Sequence, residues 1–431
     1  MFGDANGIPQ LLKHIPNKVI VGIVGAVIRP QYIDELQLLA GKMCVPFAIQ
    51  PKPKSGDYLT FRKWVTSLKP DLIWVNSYSM IIREDVLSIP RLGSLNIHGA
   101  LIPQYRGCNT TQWAILNGES RTGVTLHEMS AGLDEGDIID QEAVPLFFED
   151  TWESASRRIA EATDKIIEKN LPSILSGTWQ ASPQDQSCAR YHRRRTPDDG
   201  LFSWDQPVIE IYNLIRALVS PLPGAFYEDE EGNRVVLGRY HSPSEIVALK
   251  YGTTGGGQML AERVRLRPLQ REDAGFLYQW ITDRELFILN APYHHISEAD
   301  HEQWLESMMH KRSDLVIFVI EESKMKRAIG TCQLLNMNWR HRSAELKIRI
   351  GEDDNHGKDL GTEAIHLLTE FGFRDLNLHR IYLHVFATNK RAISAYEKSG
   401  FQQEGILRKA ACIDGEWVDV ILMGLLQENH G

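Results

Sequence analysis

The sequence predicts an α/β protein in more than one unit: a doubly wound α/β domain, a small β-rich subdomain after it, and a second α/β domain toward the C-terminus. Three observations carry this. At about 150 residues per domain, 431 residues divide into two or three cores rather than one. A continuous β-branched run over 19–28, followed by alternating helix and strand patterns, is the mark of parallel strands buried on both faces. The third is Gly252-Thr-Thr-Gly-Gly-Gly-Gln258, where three consecutive glycines carry no packing side chains and the pattern restarts beyond them.

The elements follow in order. The run over 19–28 is expected to open the first sheet, with a helix over 32–43, a short strand over 45–49, a helix over 59–68 and a buried strand over 71–76. A turn at 90–93 feeds a strand over 94–98. An irregular segment at 103–107 precedes a helix over 111–117, a strand over 123–129 and a long helix over 151–176. After Arg193-Arg-Arg195 the pattern shortens, and Pro221, Pro223 and Gly224 lead into a hairpin around 230–233. Beyond the glycines a strand is expected over 264–267, helices over 273–281 and 297–309, and strands near 315–321 and 329–337. A further strand over 344–350, a helix through 374, a strand over 378–386 and a helix capped by Asn389 and closed by Gly400 complete the second domain.

Composition excludes several classes. Apolar residues at 43% and charged residues at 24% are ordinary globular usage, incompatible with collagen-like, mucin-like or wholly disordered chains. The net charge of −9 gives no general pull toward nucleic acid or anionic membrane, so any anionic ligand must be gripped locally. Cys44, Cys108, Cys188, Cys332 and Cys412 form an odd, scattered set without a CxxC pair. Neither a disulfide framework nor a metal site is expected, and a reducing cytoplasm is the expected location. The ten-residue apolar run over 19–28 is far short of the ~20 residues that span a bilayer, and residues 1–17 lack a signal-peptide pattern, so no membrane association is expected.

Two constellations carry chemistry. In the first, Asn96 and His98 are two residues apart at a strand end, so the strand period places an amide donor and a proton-transfer group on one face. Asp134, in Gly132-Leu-Asp-Glu-Gly136, is the carboxylate able to orient the imidazole, and its flanking glycines allow a tight turn. Such a trio suits acyl transfer to an amine. By spacing alone the reading of His98 as a structural, hydrogen-bonded histidine wins, and Asp134 is equally a turn former.

The stretches Leu95-Asn-Ile-His-Gly-Ala-Leu-Ile-Pro-Gln-Tyr-Arg-Gly107, Asn117-Gly-Glu-Ser-Arg-Thr-Gly-Val-Thr-Leu-His-Glu-Met129 and Leu133-Asp-Glu-Gly-Asp-Ile138 resemble the folate-dependent formyltransferases. The resemblance implies a Rossmann-like catalytic domain with Asn96, His98 and Asp134 as its trio. It also implies 10-formyltetrahydrofolate as formyl donor, its pterin against Met80, Ile81 and Ile82 and against Ser130, Ala131, Gly132 and Leu133. A neutral amine then attacks the formyl carbon without a covalent enzyme intermediate.

The acceptor is a matter of charge and of a second resemblance. An enzyme acting on methionyl-tRNA, the alternative within the family, needs a basic surface, whereas the basic clusters here are only Lys52 with Lys54 and Arg193-Arg-Arg195. Arg193-Arg-Arg-Thr-Pro-Asp-Asp-Gly200, Trp204 and the segment 215–226 resemble sugar formyltransferases, especially those acting on UDP-4-amino-4-deoxyarabinose. This resemblance runs from residue 15 to about 240. It implies a nucleotide-linked amino sugar, UDP or dTDP, rather than nucleic acid, held by Tyr105, Arg106, Arg194 and Arg195. Cys108 departs from the pattern, since those enzymes carry an arginine there that meets the folate.

The second constellation is a strand ending at Ile350, a glycine-containing loop, and a helix opened by Gly357, Lys358, Leu360, Gly361 and Thr362, whose backbone N–H groups suit a pyrophosphate. With Asn389-Lys-Arg-Ala-Ile-Ser-Ala-Tyr-Glu-Lys-Ser-Gly-Phe401, residues 263–426 resemble the GNAT acyl-CoA N-acetyltransferases. That implies acetyl-CoA as donor, Asn389 on its pantetheine arm and Tyr396 as the acid that protonates the leaving thiolate. Glu345, read as an exposed strand glutamate, is the expected general base. Asp359 stands where the family usually has glycine, which leaves open a module that binds or dimerises without turnover.

The expected organisation is therefore a formyltransferase catalytic domain over 1–190, its C-terminal subdomain over 191–251, a linker over 252–262 and a GNAT domain over 263–431. The expected function is bifunctional, N-formylation and N-acetylation of amino sugars for surface glycans such as lipopolysaccharide, in a homodimer.

Overall fold

The computed structural model describes residues 1–238, 240–252, 257–284, 286, 296–309, 314–351 and 359–429. Residues 253–256 of the glycine stretch, and the expected CoA contacts Gly357 and Lys358, lie outside the described residues. The chain divides into two compact units, Met1–Asp199 with Arg216–Pro223, and Gly200–Ile215 with Gly224–Gly431.

The first unit is built on a seven-stranded sheet in the order Phe47–Gln50, Ile23–Ala26, Phe2–Gly3, Ile73–Asn76, Ser94–His98, Arg121–Glu128, Ile138–Pro145. The first five run parallel and the last two antiparallel. In chain order the parallel strands lie 3-2-1-4-5, a doubly wound arrangement that binds ligands beyond the carboxyl ends of its strands. The sheet opens with Phe2–Gly3, not with the run over 19–28. A two-residue strand is too short to show periodicity, and only Ile23–Ala26 of the longer run is buried as a strand. Val19, Val21, Val27 and Ile28 are 40–46% exposed.

Helices cover both faces. Trp152–Ser176, started by a Thr151–Ser154 capping box and stopped by Gly177 at φ +70°, buries Ala162, Ile166, Ile167 and Ile174 against Trp74, Leu95, Ile97, Val124 and Leu126. On the other face Tyr58–Ser67 packs Tyr58, Phe61 and Val65 against Phe2, Val24, Ile73 and Val75. Because Leu95 and Ile97 point into the first core, Asn96 and His98 are turned to the opposite face, as the two-residue period requires.

The second unit carries an eight-stranded sheet in the order Met259–Leu260, Val264–Pro268, Leu315–Glu322, Arg327–Asn338, Ser343–Ile350, Arg380–Phe386, Glu416–Leu426, Gln402–Ile413. Every pair is antiparallel except Ser343–Ile350 with Arg380–Phe386. That parallel pairing covers only Ser343↔Arg380, Ala344↔Ile381 and Glu345↔Tyr382. Both strands continue beyond it unpaired with each other, so the sheet splits open from Glu345 onward. The long hairpin Gln402–Ile413 with Glu416–Leu426 was not anticipated from sequence. The hairpin Ala225–Glu228 with Arg234–Leu237 lies where the turn at 230–233 placed it.

This division differs from the expected boundaries at 191, 252 and 263. Gly200–Ile215 and the helix Pro243–Tyr251 belong to the same compact unit as the eight-stranded sheet. The Ile209 N–H donates to the Asp375 carbonyl (2.9 Å), and the Tyr251 ring packs edge-on against Phe318 and Phe371. Glycine composition reports the stiffness of a segment and says nothing of whether the helix before it has an apolar face to bury. All five cysteines are free thiols. Among the described residues no helix is long and apolar enough to cross a membrane, and no cluster of three or more potential metal ligands occurs.

Candidate active sites

In the first unit Asn96 and His98 close the fifth parallel strand, and Asp134 reaches them from the loop between Arg121–Glu128 and Ile138–Pro145. Asp134 takes φ +55°, and a Cβ on Gly136 would stand 1.9 Å from the Glu128 carbonyl oxygen, so the glycine is sterically required for this turn. The Asp134 carboxylate lies 3.6 Å from His98 Nδ1 and 3.8 Å from His127 Nε2, and accepts the Gly107 N–H at 2.8 Å. His98 Nε2–H donates to the Tyr105 carbonyl (2.6 Å), leaving Nδ1 as the basic nitrogen beside the carboxylate.

His127 escaped the sequence reading although it lies inside the quoted motif. Its signal is the register, which sets it directly opposite Asn96 on the neighbouring strand. Asn96 Nδ2–H donates to His127 Nε2 (3.1 Å), and His127 Nδ1–H donates to the Glu128 carbonyl (2.6 Å). Burial, and next the nearby His98 ring, push the His127 pKa down to about 4, so the ring is neutral at pH 7 and free to accept from Asn96. The amide of Asn96 is thereby oriented, with its second N–H unspent on His127.

Arg106 corrects an expectation. Predicted as a substrate contact, it is 1% exposed, and its guanidinium donates to Gln184 Oε1, Gln186 Oε1 and the Tyr191 hydroxyl. Gln184 in turn donates to the carbonyls of Asp134 and Gly136. Arg106 is an internal strut for the Asp134 turn, and its burial depends on partners 78 or more residues away that no local pattern reveals.

The other predicted contacts are more accessible. Tyr105 is held by Asn117 and Glu119 and stacks on His192 at 4.6 Å. Arg195 lies over Trp113 at 5.1 Å, while exposed Arg194 donates to the Ser79 carbonyl. In the two loops expected to meet the folate, Ile81 is 72% and Leu133 49% exposed, with Gln50 holding the Ile81 carbonyl (2.9 Å), whereas Ile82 is buried in the core. Met80, Ser130, Ala131 and Gly132 lie beside them at or near the surface.

In the second unit the split between the parallel strands opens a cavity of about 1180 Å³ lined by Glu345, Ile350, Leu360, Gly361, Thr362, Asn389 and Tyr396. Seven of the predicted residues thus share one cleft. Glu345 is buried rather than exposed: Oε2 accepts from Asn336 Nδ2 (2.9 Å), and Oε1 lies 3.2 Å from His384 Nδ1. Cross-strand partners bury it, which alternation within its own strand does not predict. Asn389 caps Lys390–Lys398 by accepting the Ala392 N–H (3.1 Å), which leaves its NH₂ for other partners. Burial pushes the Tyr396 hydroxyl up to about 12.

The residues present fit an acyl-CoA. The cavity is large, the helix Leu360–Arg374 turns its N-terminus into it, and Arg391 and Lys398 add positive charge to its wall. Asp359, at φ +56°, is paired with Lys398 Nζ at 3.2 Å, so its charge is partly offset.

The meeting of Asn96, His98 and Asp134 on a doubly wound sheet, and a split sheet facing a helix N-terminus, are two separate sites suited to group transfer. Comparison with known families states which kind. Residues 49–171 match the formyl transferase family, 194–261 the formyl transferase C-terminal domain and 263–402 the acetyltransferase (GNAT) domain. The chain therefore carries a formyl transferase with its C-terminal domain, joined to a GNAT domain. It is 42% identical over 174 residues to the bifunctional polymyxin resistance protein ArnA of Wigglesworthia glossinidia brevipalpis, a match covering 40% of this chain and 27% of that protein. The chain thus spans about a quarter of the length of this curated relative. Among solved structures, spermidine N-acetyltransferase from Vibrio cholerae in complex with CoA and spermine is 32% identical, covering 39% of this chain and 99% of that one, with a TM-score of 0.38. The Vibrio cholerae spermidine/spermine N-acetyltransferase SpeG in complex with manganese ions is also 32% identical, covering 38% and 94%, with a TM-score of 0.34.

Proposed function

We propose that the chain is a bifunctional N-acyltransferase acting on nucleotide-linked amino sugars. Its first half transfers formyl from 10-formyltetrahydrofolate to the amine of a UDP- or dTDP-linked amino deoxysugar, and its second half transfers acetyl from acetyl-CoA to an amino sugar. Surface-glycan synthesis is the matching role. The observation that supports this best is the meeting of Asn96, His98 and Asp134 at the carboxyl end of a parallel strand, together with the exposed Ile81 and Leu133 of the expected folate loops.

When bound, the two donors supply an activated formyl group and an acetyl thioester. The chain's residues supply position and proton transfer. His98 Nδ1 takes the proton of the attacking amine, and the Asp134 carboxylate 3.6 Å away stabilises the imidazolium. Asn96, held by His127, offers an N–H to an anionic oxygen. Arg194 and Arg195 supply charge for a diphosphate. In the second half the Glu345–His384 pair receives the amine proton, and Tyr396 delivers one to a leaving sulfur. Asn389 and the N-terminus of Leu360–Arg374 hold the donor.

The test is a panel of UDP- and dTDP-linked amino sugars and initiator methionyl-tRNA, each offered separately with each donor and read by product mass. Formylated and acetylated sugar nucleotides are expected. Formylation confined to the tRNA overturns the sugar reading. Formylation without any acetylation leaves the GNAT half as a binding module.

A further inference from the structure

A second cavity of about 160 Å³ lies in the C-terminal unit. The cross-strand register sets Ile317, Gln333 and Lys347 in one row, Val319, Thr331 and Arg349 in the next, and Leu315, Leu335 and Glu345 in a third. Residues directly opposite one another share a sheet face. The cavity's Gln333, Thr331, Lys347 and Arg349 therefore stand on the same face as Glu345 and its partner His384. Trp280 and Trp304, from the helices Ala274–Thr282 and Glu298–Met309, also line it.

His301 borders this space and is 2% exposed, with ring centroids 5.4 Å from both Tyr278 and Trp304. Its Nε2 has no hydrogen-bond partner among the described residues. Burial lowers its pKa, so the ring is neutral at pH 7 and ready to exchange a hydrogen bond. A buried polar atom left unpaired beside a cavity calls for a partner there, a ligand or a water. Among the described residues the lining includes two cationic side chains, Lys347 and Arg349, and no carboxylate, and the nearest carboxylate to Lys347 Nζ is that of Glu345, with Oε1 at 3.9 Å. Such a wall repels a polyamine and attracts a phosphate. Aromatic walls with a few convergent polar groups suit the mixed apolar and hydroxyl faces of a sugar ring. The volume is that of about five waters at ~30 Å³ each, ring-sized rather than nucleotide-sized.

We propose that this cavity is the acceptor pocket of the acetyltransferase half, taking one amino-sugar ring with its phosphate toward Lys347 and Arg349 and excluding polycations. The proposal rests on reading that half as an active acetyltransferase. In the step it serves, the neutral amine nitrogen bonds to the acetyl carbonyl carbon as the C–S bond breaks. The amine proton goes to the Glu345–His384 pair, and the sulfur takes a proton from Tyr396.

The test uses the full chain, with UDP-4-amino-4-deoxyarabinose and spermidine as probes, calorimetric titration for binding and thiol release from acetyl-CoA for turnover. Formyl transfer serves as the folding control. One equivalent of sugar-nucleotide binding is expected to disappear, or weaken at least tenfold, in Trp304→Ala and in Gln333→Ala. His301→Gln should retain binding that His301→Leu loses. Unchanged titrations in Trp304→Ala and Gln333→Ala overturn the proposal, as does faster thiol release with spermidine than with the sugar. A titration that responds to both variants while neither acceptor releases thiol keeps the pocket and overturns the reading of an active enzyme half.

Discussion

Lys250 Nζ stands 2.5 Å from Asp375 Oδ1, with both side chains only 4% exposed. Lys250 belongs to the stretch matching the formyl transferase C-terminal domain, and Asp375 follows the helix Leu360–Arg374 of the GNAT domain. Tyr251 donates to the same carboxylate oxygen (2.9 Å), and Lys250 also donates to the Gln206 carbonyl (2.8 Å). The two matched domains therefore share one polar core.

Removing one partner of such a pair leaves a buried charge alone. Asp375→Ala is expected to destabilise the C-terminal unit by about 3–5 kcal/mol, whereas Lys250→Met with Asp375→Leu should recover most of that loss. Urea unfolding of the full chain measures both, and a cost below ~1 kcal/mol for the single variant contradicts the role assigned to the pair.

His98→Asn and Asp134→Asn should each lower formyl transfer by about 10²–10⁴-fold, the usual weight of a general base, and leave acetyl transfer and unfolding midpoints unchanged. Separate assays of the two activities on each variant decide this. Full formylation in either would remove the trio.

Asp359→Gly replaces a non-glycine residue at φ +56° and removes a carboxylate from the wall of the donor cavity. Both changes favour an anionic ligand at the helix N-terminus. Acetyl-CoA should bind about three- to tenfold tighter, about 0.7–1.4 kcal/mol, by calorimetric titration. Lys398→Ala, which takes away the offsetting cation, should bind more weakly than the parent.

The buried His127 links stability to pH. Its folded pKa of about 4 lies below the usual value of 6.5, so the unfolded chain binds more protons between those limits. The stability tied to its neutral form is present above pH 6.5 and lost as pH falls toward 4, on the order of 3 kcal/mol in full. Urea midpoints measured from pH 7 to pH 4 should fall less steeply in His127→Gln than in the parent. Parallel profiles for the two proteins would exclude this linkage.

The parts legible in the sequence are those governed by short-range periodicity and by motif. Residues two apart on one strand placed Asn96 and His98 on a common face, and the helix expected over 151–176 is found over Trp152–Ser176. What escaped has partners far away in the chain. Phe2–Gly3 is a central strand only because Val24 and Val75 flank it. Arg106 became a strut because Gln184 accepts from its guanidinium, and Glu345 is buried because neighbouring strands bring Asn336 and His384 against it.

By itself the sequence determined that the chain joins formyl transferase domains to a GNAT domain, because both are encoded in ordered motifs. Tertiary structure alone decided which residues line a cavity, and where one compact unit ends and the next begins. Burial and hydrogen bonding there depend on side chains that meet across strands and helices tens to more than a hundred residues apart.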